Sequence, residues 1–289
     1  MTGTIGIAGM GRMGTAFAKR LIEAGWAVKV WNRSPERLAQ AVGAGAEAVD
    51  LAGLAGCDAI LLSLTDGAAS HQVVERLAAV GLTGGLVIEM STILPDEAEQ
   101  LAALVAAAGA EFVHCPVGGT VAPALKGQLL GMTGGRPEAI QRARPVLEAL
   151  CRRVEEMGPP AAAARMKLAI NLPLAVYWNT LGEGLRLLRG SGIDPELAVS
   201  LIADSSAGPT VLKNRAAVVV DTLRGQDQPG TFDLAGLAKD LRLAIEAVRA
   251  EDSGLELAEV ALRGYEAFLD PKTAGCDGAT LARLIAGRD

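Results

Sequence analysis

Aromatic residues are scarce in this chain. Phe, Trp and Tyr make up 3% of its 289 residues, so a core has to be built mostly from Ala, Leu and Val. Such a composition favours helices and buried parallel strands over an aromatic-rich β-sandwich. Histidine occurs twice, as His71 and His114. Cysteine occurs four times, as Cys57, Cys115, Cys151 and Cys276, widely spaced and without a C-x-x-C. No metal-ligand pattern results, so no metal site is expected, and the cysteines read as buried free thiols of a reducing compartment. Basic runs are short as well. None is longer than Arg152-Arg153, and the net charge is −6, which argues against nucleic acid and anionic membrane surfaces as partners. The longest uncharged apolar stretch near the middle, 168–182, contains Asn171, Pro173 and Asn179 and is too short for a bilayer. Strand-like sequence begins by about Thr4, which leaves no room for a signal peptide, so a soluble cytoplasmic protein is expected.

What the chain does contain is alternation. Apolar runs at 4–9, 27–31, 58–64, 86–90 and 111–115, with a shorter one near 46–49, are separated by helical patterns at 13–24, 35–42, 68–79 and 95–108. Near-continuous apolar strands alternating with helices predict a parallel sheet covered on both faces. Strands at 128–133 and 154–157 flank a helix at 137–150 and are expected to extend it. The pattern changes at Gly158-Pro159-Pro160. Beyond it the spacing is helical: a long helix from Pro160 to about Arg189, with a kink or short break before Pro173, then helices at 195–203, 211–220, 234–251, 256–268 and 279–286. The expected fold class is α/β: a Rossmann-type, mostly parallel sheet over 1–158, joined by a long interdomain helix to an all-α domain over 159–289.

The first strand runs into Gly9-Met10-Gly11-Arg12-Met13-Gly14. This G-x-G-x-x-G, following a strand and opening a helix, directs backbone N–H groups and the helix dipole at an anion such as a dinucleotide pyrophosphate. About 20 residues on, where an NAD site usually places Asp or Glu on the ribose, this chain has Trp31-Asn32-Arg33-Ser34. Arg33 can pair with a 2′-phosphate, and Asn32 and Ser34 can donate to it, so NADP(H) is the expected cofactor. The same residues also read as a helix cap with a solvated arginine. Leu64-Thr65-Asp66 and Met90-Ser91-Thr92 end the next long strands, where ligands bind in open α/β sheets. Leu64, Thr65 and Thr92 are therefore candidate cofactor contacts, although either threonine reads equally well as a helix cap.

The glycine turn, Pro116-Val117-Gly118-Gly119-Thr120, the pair Lys167 and Asn171, and Lys239-Asp240-Leu241 occur in this order. On those motifs the chain resembles the β-hydroxyacid dehydrogenases over residues 4–285. This group includes 3-hydroxyisobutyrate dehydrogenase and the glyoxylate, succinic semialdehyde and tartronate semialdehyde reductases. The resemblance implies a helical C-terminal domain, of the 6-phosphogluconate dehydrogenase kind, that builds dimers or tetramers. It also implies that Lys167 is the general acid/base, that Asn171 holds the substrate or the lysine, and that Lys239 approaches the nicotinamide end of the cofactor. Chemistry supports the first assignment independently. Hydride transfer to a carbonyl leaves a developing alkoxide that needs a proton, which a suitably placed ammonium can give. Asn171 follows one helical turn later on the same face.

The family's loop usually reads D-A-P-V-S-G-G and holds the substrate carboxylate. Here His114, Gly118 and Thr120 replace its Asp, Ser and last Gly. Gly118 and Gly119 keep backbone donors, and Thr120 can supply a hydroxyl. The P-V-G-x-T form resembles the branch of reductases acting on semialdehydes with a more distant acid group, a branch that can carry arginine where Gly119 stands. The substrate expected is a small hydroxy acid or semialdehyde. Imine reduction and a non-catalytic NADP-binding sensor are the rival readings. Lys167 argues against both, since imine reductases commonly carry Asp or Tyr there and sensors tend to lose the lysine.

Overall fold

The computed structural model describes residues 3–249 and 254–287. The chain divides into two compact units, Met1–Lys167 and Leu168–Asp289. The first is built on one sheet of β1 (Thr4–Ala8), β2 (Ala27–Trp31), β3 (Glu47–Ala48), β4 (Ala59–Leu62), β5 (Leu86–Glu89), β6 (Glu111–His114), β7 (Val117–Gly118), β8 (Leu129–Gly135) and β9 (Cys151–Gly158). Spatial order is β3-β2-β1-β4-β5-β6-β8-β7, with β9 on β8. The run from β3 to β6 is parallel throughout, whereas β8 is antiparallel to β6 and β7. Strand order reverses between β1 and β4. The crevice outside their carboxyl ends is where such sheets take ligands.

Alternation along the strands explains the two covered faces. Ala59, Leu61 and Ile88 pack into a core with Phe17 and Leu21 of α1 (Arg12–Glu23), Ala41 of α2 (Ala39–Val42) and residues of α6 (Pro137–Leu150). Ile60, Leu62 and Val87 face the other way, onto Val74 and Leu77 of α3 (Gly67–Val80) and Leu101 and Val105 of α4 (Pro95–Ala107). Each such aliphatic side chain, fully buried, contributes roughly 1.5–3 kcal/mol. A short α5 (Val121–Leu125) follows β7.

The helical unit holds most of α7 (Pro160–Leu187), then α8 (Pro195–Asp204), α9 (Thr210–Leu223), α10 (Leu234–Ala247), α11 (Glu256–Glu266) and α12 (Gly278–Ala286). Its core joins Trp178, Leu212, Leu234, Leu241, Tyr265 and Leu281. The buried Tyr265 hydroxyl donates to the Ala175 carbonyl at 2.9 Å. Asp277 caps α12 by accepting from Ala279 N, and its other oxygen pairs with Arg215. Among the described residues no helix is long and apolar enough to cross a membrane.

The structure departs from the sequence expectations in five places. Residues 35–42 form a 3-10 turn, Pro35–Leu38, followed by the single-turn α2. The predicted 154–157 strand is the eight-residue β9, whose exposed Arg152, Arg153, Glu155 and Glu156 hide it from an apolar search. Charges on an edge strand also discourage pairing with another chain. The loop at 117–118 contains β7, opposite Gly131 and Leu130. Helix α7 runs unbroken through Pro173: a proline forfeits one backbone bond, and the flanking turns of this 28-residue helix carry it. Finally, Cys57, Cys115 and Cys151 are buried thiols, but Cys276 is partly exposed. The predicted 234–251 helix is observed to Ala247, and its residues 250–251 lie outside those described.

Candidate functional site

The strand-to-helix turn after β1 has the geometry its glycines require. Gly9 sits at φ 101°, and a Cβ there would stand 2.2 Å from the Ser63 carbonyl oxygen at the end of β4. A Cβ at Gly14 would stand 1.9 Å from the Gly9 carbonyl oxygen, so α1 closes directly onto the turn. At Gly11 the space a Cβ would fill is open. Gly11 is also the N-cap of α1 and makes no side-chain capping bond, and the first turn, starting Arg12-Met13, carries no acid. Open space at an uncapped, acid-free helix N-terminus fits a pyrophosphate. The residues present therefore suit a nicotinamide dinucleotide.

Asn32 has a different place from the one expected. Its Oδ1 accepts from Met10 N at 2.9 Å, and its Nδ2 donates to the Ser34 carbonyl at 2.9 Å. The side chain thus braces the glycine turn against the loop after β2, and the Met10 amide is spent on that brace. Arg33 is exposed. Ser34 stands at the N-cap position of the 3-10 turn without a side-chain capping bond. Trp31 packs beneath the Arg76 guanidinium, 5.6 Å from the ring centroid.

At the ends of β4 and β5 neither candidate threonine is a helix N-cap. Asp66 caps α3 by accepting from Ala69 N at 2.8 Å, with the Thr65 hydroxyl donating to its other oxygen at 3.1 Å. Helix α4 has Leu94 at its N-cap, whose amide is taken by Glu97. The backbone of Leu64 donates to Ser91 Oγ at 2.8 Å, tying the two strand-end loops together. Below them Glu89 is fully buried and accepts from Ser91 N at 2.6 Å. Burial pushes its carboxyl above the usual carboxylate range.

In the loop after β6, Gly118 lies in register with Leu130 of β8. Gly119 holds φ 125°. Thr120 is the N-cap residue of α5, and its hydroxyl makes no capping bond. Lys167 and Asn171 are both buried on α7. Sequence reasoning missed the partner that fixes the asparagine: Asn171 Nδ2 donates to Asp240 Oδ2 at 2.6 Å, and Lys239 Nζ lies 3.1 Å from Asp240 Oδ1. Asp240 is almost fully enclosed on α10 whereas Lys239 is about one-third exposed. The lysine is thus in a charge pair with its sequence neighbour, but the carboxylate also orients an α7 side chain. The signal was present in Lys239-Asp240-Leu241, of which only the lysine was given a role. Trp178 and Asp277 serve packing and capping. Among the described residues no three His, Cys, Asp or Glu side chains are grouped to hold a metal.

An uncapped glycine turn at the reversal point of a mostly parallel sheet suits a dinucleotide, and the chain's relatives place it among nicotinamide-dinucleotide oxidoreductases. Residues 4–158 match the family model described as the NAD binding domain of 6-phosphogluconate dehydrogenase. Residues 161–285 match the one described as NAD-binding of NADP-dependent 3-hydroxyisobutyrate dehydrogenase. The chain is 31% identical to the NAD-dependent L-serine dehydrogenase of Pseudomonas aeruginosa, with 97% of each chain covered. It superposes on the 3-hydroxyisobutyrate dehydrogenase of Mycobacterium tuberculosis, solved with L-serine, at a TM-score of 0.87 with 25% identity and 99% of each chain covered. An imine reductase from a Pseudomonas species shares the fold at a TM-score of 0.68 and 19% identity, over the whole of both chains. The chain belongs to the β-hydroxyacid dehydrogenase family, and its cofactor is a nicotinamide dinucleotide.

Proposed function

We propose that this protein is an NADP(H)-dependent oxidoreductase acting between a small β-hydroxy acid and the corresponding semialdehyde, with Lys167 as general acid/base. In this reading residues 1–158 hold the dinucleotide and 159–289 serve substrate binding and association. When bound, the cofactor supplies or receives the hydride. The observation that carries the proposal is a buried lysine one helical turn from a buried asparagine whose amide is fixed by a carboxylate. Reduction places negative charge on the carbonyl oxygen, and the Lys167 ammonium gives the proton that neutralises it; in the oxidation its neutral amine takes that proton back. Its Nδ2 donating to Asp240, Asn171 holds the substrate or the lysine. Gly118, Gly119 and Thr120 bind the acid group, and Leu64, Thr65, Thr92 and Lys239 line the cofactor. Exposed Leu187, Leu197, Leu201 and Leu257 support association into a homodimer or homotetramer.

The test is an NADPH-oxidation screen against glyoxylate, succinic semialdehyde, tartronate semialdehyde, sulfolactaldehyde and a cyclic imine. Turnover of one or more of the carbonyl acids is expected. Turnover of the imine alone would replace the proposal with imine reduction, and tight NADPH binding without any turnover would favour a sensor.

The choice of NADP(H) rests on Arg33 and on the absence of an acid at the end of β2. Charge-assisted hydrogen bonds are worth about 1.5–3 kcal/mol, so Arg33→Ala should weaken NADPH binding by roughly 10- to 100-fold and leave NADH nearly unchanged. Fluorescence titration with both nucleotides decides it; equal losses would remove the assignment.

A further inference from the structure

The carbonyl end of the sheet contains a polar chain that the proposed reaction does not use. Ser91 commits all three of its polar groups: its amide to Glu89 Oε1 at 2.6 Å, its hydroxyl to the Leu64 amide at 2.8 Å, and its carbonyl to His114 Nε2 at 3.2 Å. The other ring nitrogen, Nδ1, lies 3.3 Å from the Pro160 carbonyl. Pro160 is the first residue of α7, and Lys167 follows seven residues later, two turns on and on the same face. His114 is fully enclosed and stands in register with Glu89 on the neighbouring strand.

We propose that His114 is a positioning residue, a strut from the Ser91 carbonyl to the Pro160 carbonyl that fixes the first turn of α7, and with it Lys167, to the strand-end loops. This rests on the reading of Lys167 given above. Three features support it. Both ring nitrogens meet backbone carbonyls, and a buried imidazole carries a large desolvation cost unless such partners are met. Two further contacts pin the same turn: Glu99 Oε1 accepts from Ala161 N at 2.9 Å, and Gly134 of β8 leaves room for the turn, since a Cβ there would stand 2.4 Å from the Pro159 carbonyl oxygen. The third is the type of residue. A neutral imidazole donates from one nitrogen only, so the ring gives a hydrogen bond to one of the two carbonyls, set by its tautomer, and packs its other nitrogen against the second. Burial pulls the ring's pKa down to about 4, so at neutral pH it is uncharged.

Hydrogen exchange, read with steady-state kinetics on the active substrate of the screen, tests the strut. In the His114→Leu protein, amides of residues 161–166 should exchange at least tenfold faster while those of α1 and α6 hold their rates. kcat should fall at least tenfold, with KM and the NADPH dissociation constant changed less than threefold. His114→Gln, whose amide reaches one of the two carbonyls, should recover part of both losses. If the leucine variant does not fold, the glutamine variant carries the test, with intermediate values expected. Unchanged exchange over 161–166, or acceleration of all helices alike, overturns the proposal, as does a normal kcat in a variant that exchanges fast. Failure of the Lys167 reading is distinguishable. There, Lys167→Ala retains turnover, while exchange at 161–166 still reports on His114.

Discussion

Lys167→Ala protein is expected to bind NADPH as the parent does and to turn over about a thousandfold more slowly, or less. Proton transfer by a positioned side chain is worth about 10²–10⁴ in rate. The upper part of that range applies because Lys167 is buried on α7; bulk water does not readily take the place of the missing ammonium. In the proposed reading the dinucleotide is held by other residues, the glycine turn and the loops after β2, β4 and β5, so binding should survive. Nucleotide titration and steady-state rates on the same preparation separate the two. Lys167→Arg is a useful companion: it keeps the charge but holds its proton too firmly to cycle it, so it should also be slow. Normal turnover in the alanine variant would end the assignment.

The second large effect is expected from one methyl group. In Gly14→Ala the new Cβ would lie 1.9 Å from the Gly9 carbonyl oxygen. That atom is backbone and has nowhere to go, because Gly9 is held at φ 101° with the Ser63 carbonyl against its other side. The turn must open, moving the first N–H groups of α1 away from the pyrophosphate. A hundredfold weaker dinucleotide complex, about 2.7 kcal/mol, is the expected minimum, with the helical circular dichroism retained. Affinity within a few-fold of the parent would mean that the turn relaxes easily and that its tight closure is not what binds the cofactor.

The sheet could be read from sequence because its strands announce themselves twice, by unbroken apolar runs and by turn residues at their ends. Strand β9 could not, since an edge strand needs only one covered side and here shows charge on the other. Pro173 misled for a related reason: the rule that proline breaks helices describes a local cost, and whether that cost is met depends on packing that spacing does not reveal. The site divides the same way. Gly9, Gly11, Gly14, Lys167 and Asn171 stand in recognisable motifs. Asp240 was in plain view beside Lys239, yet its partner lies 69 residues away, and no periodicity links positions so distant. Asn32 shows the converse: its identity suggested a phosphate donor, and only the folded turn shows its Oδ1 taken by Met10 N and an N–H given to Ser34.

Gly119 limits how this enzyme can change. At φ 125°, with the Leu129 side chain 2.7 Å from where a Cβ would go, any L-residue there is strained. Arginine cannot be reached there by a single substitution; the loop would have to be rebuilt first. Drift toward substrates that need a fixed cation at that point is therefore a two-step route through a less stable intermediate. If the loop binds the acid group as proposed, new specificity is expected to appear at Thr120 before Gly119.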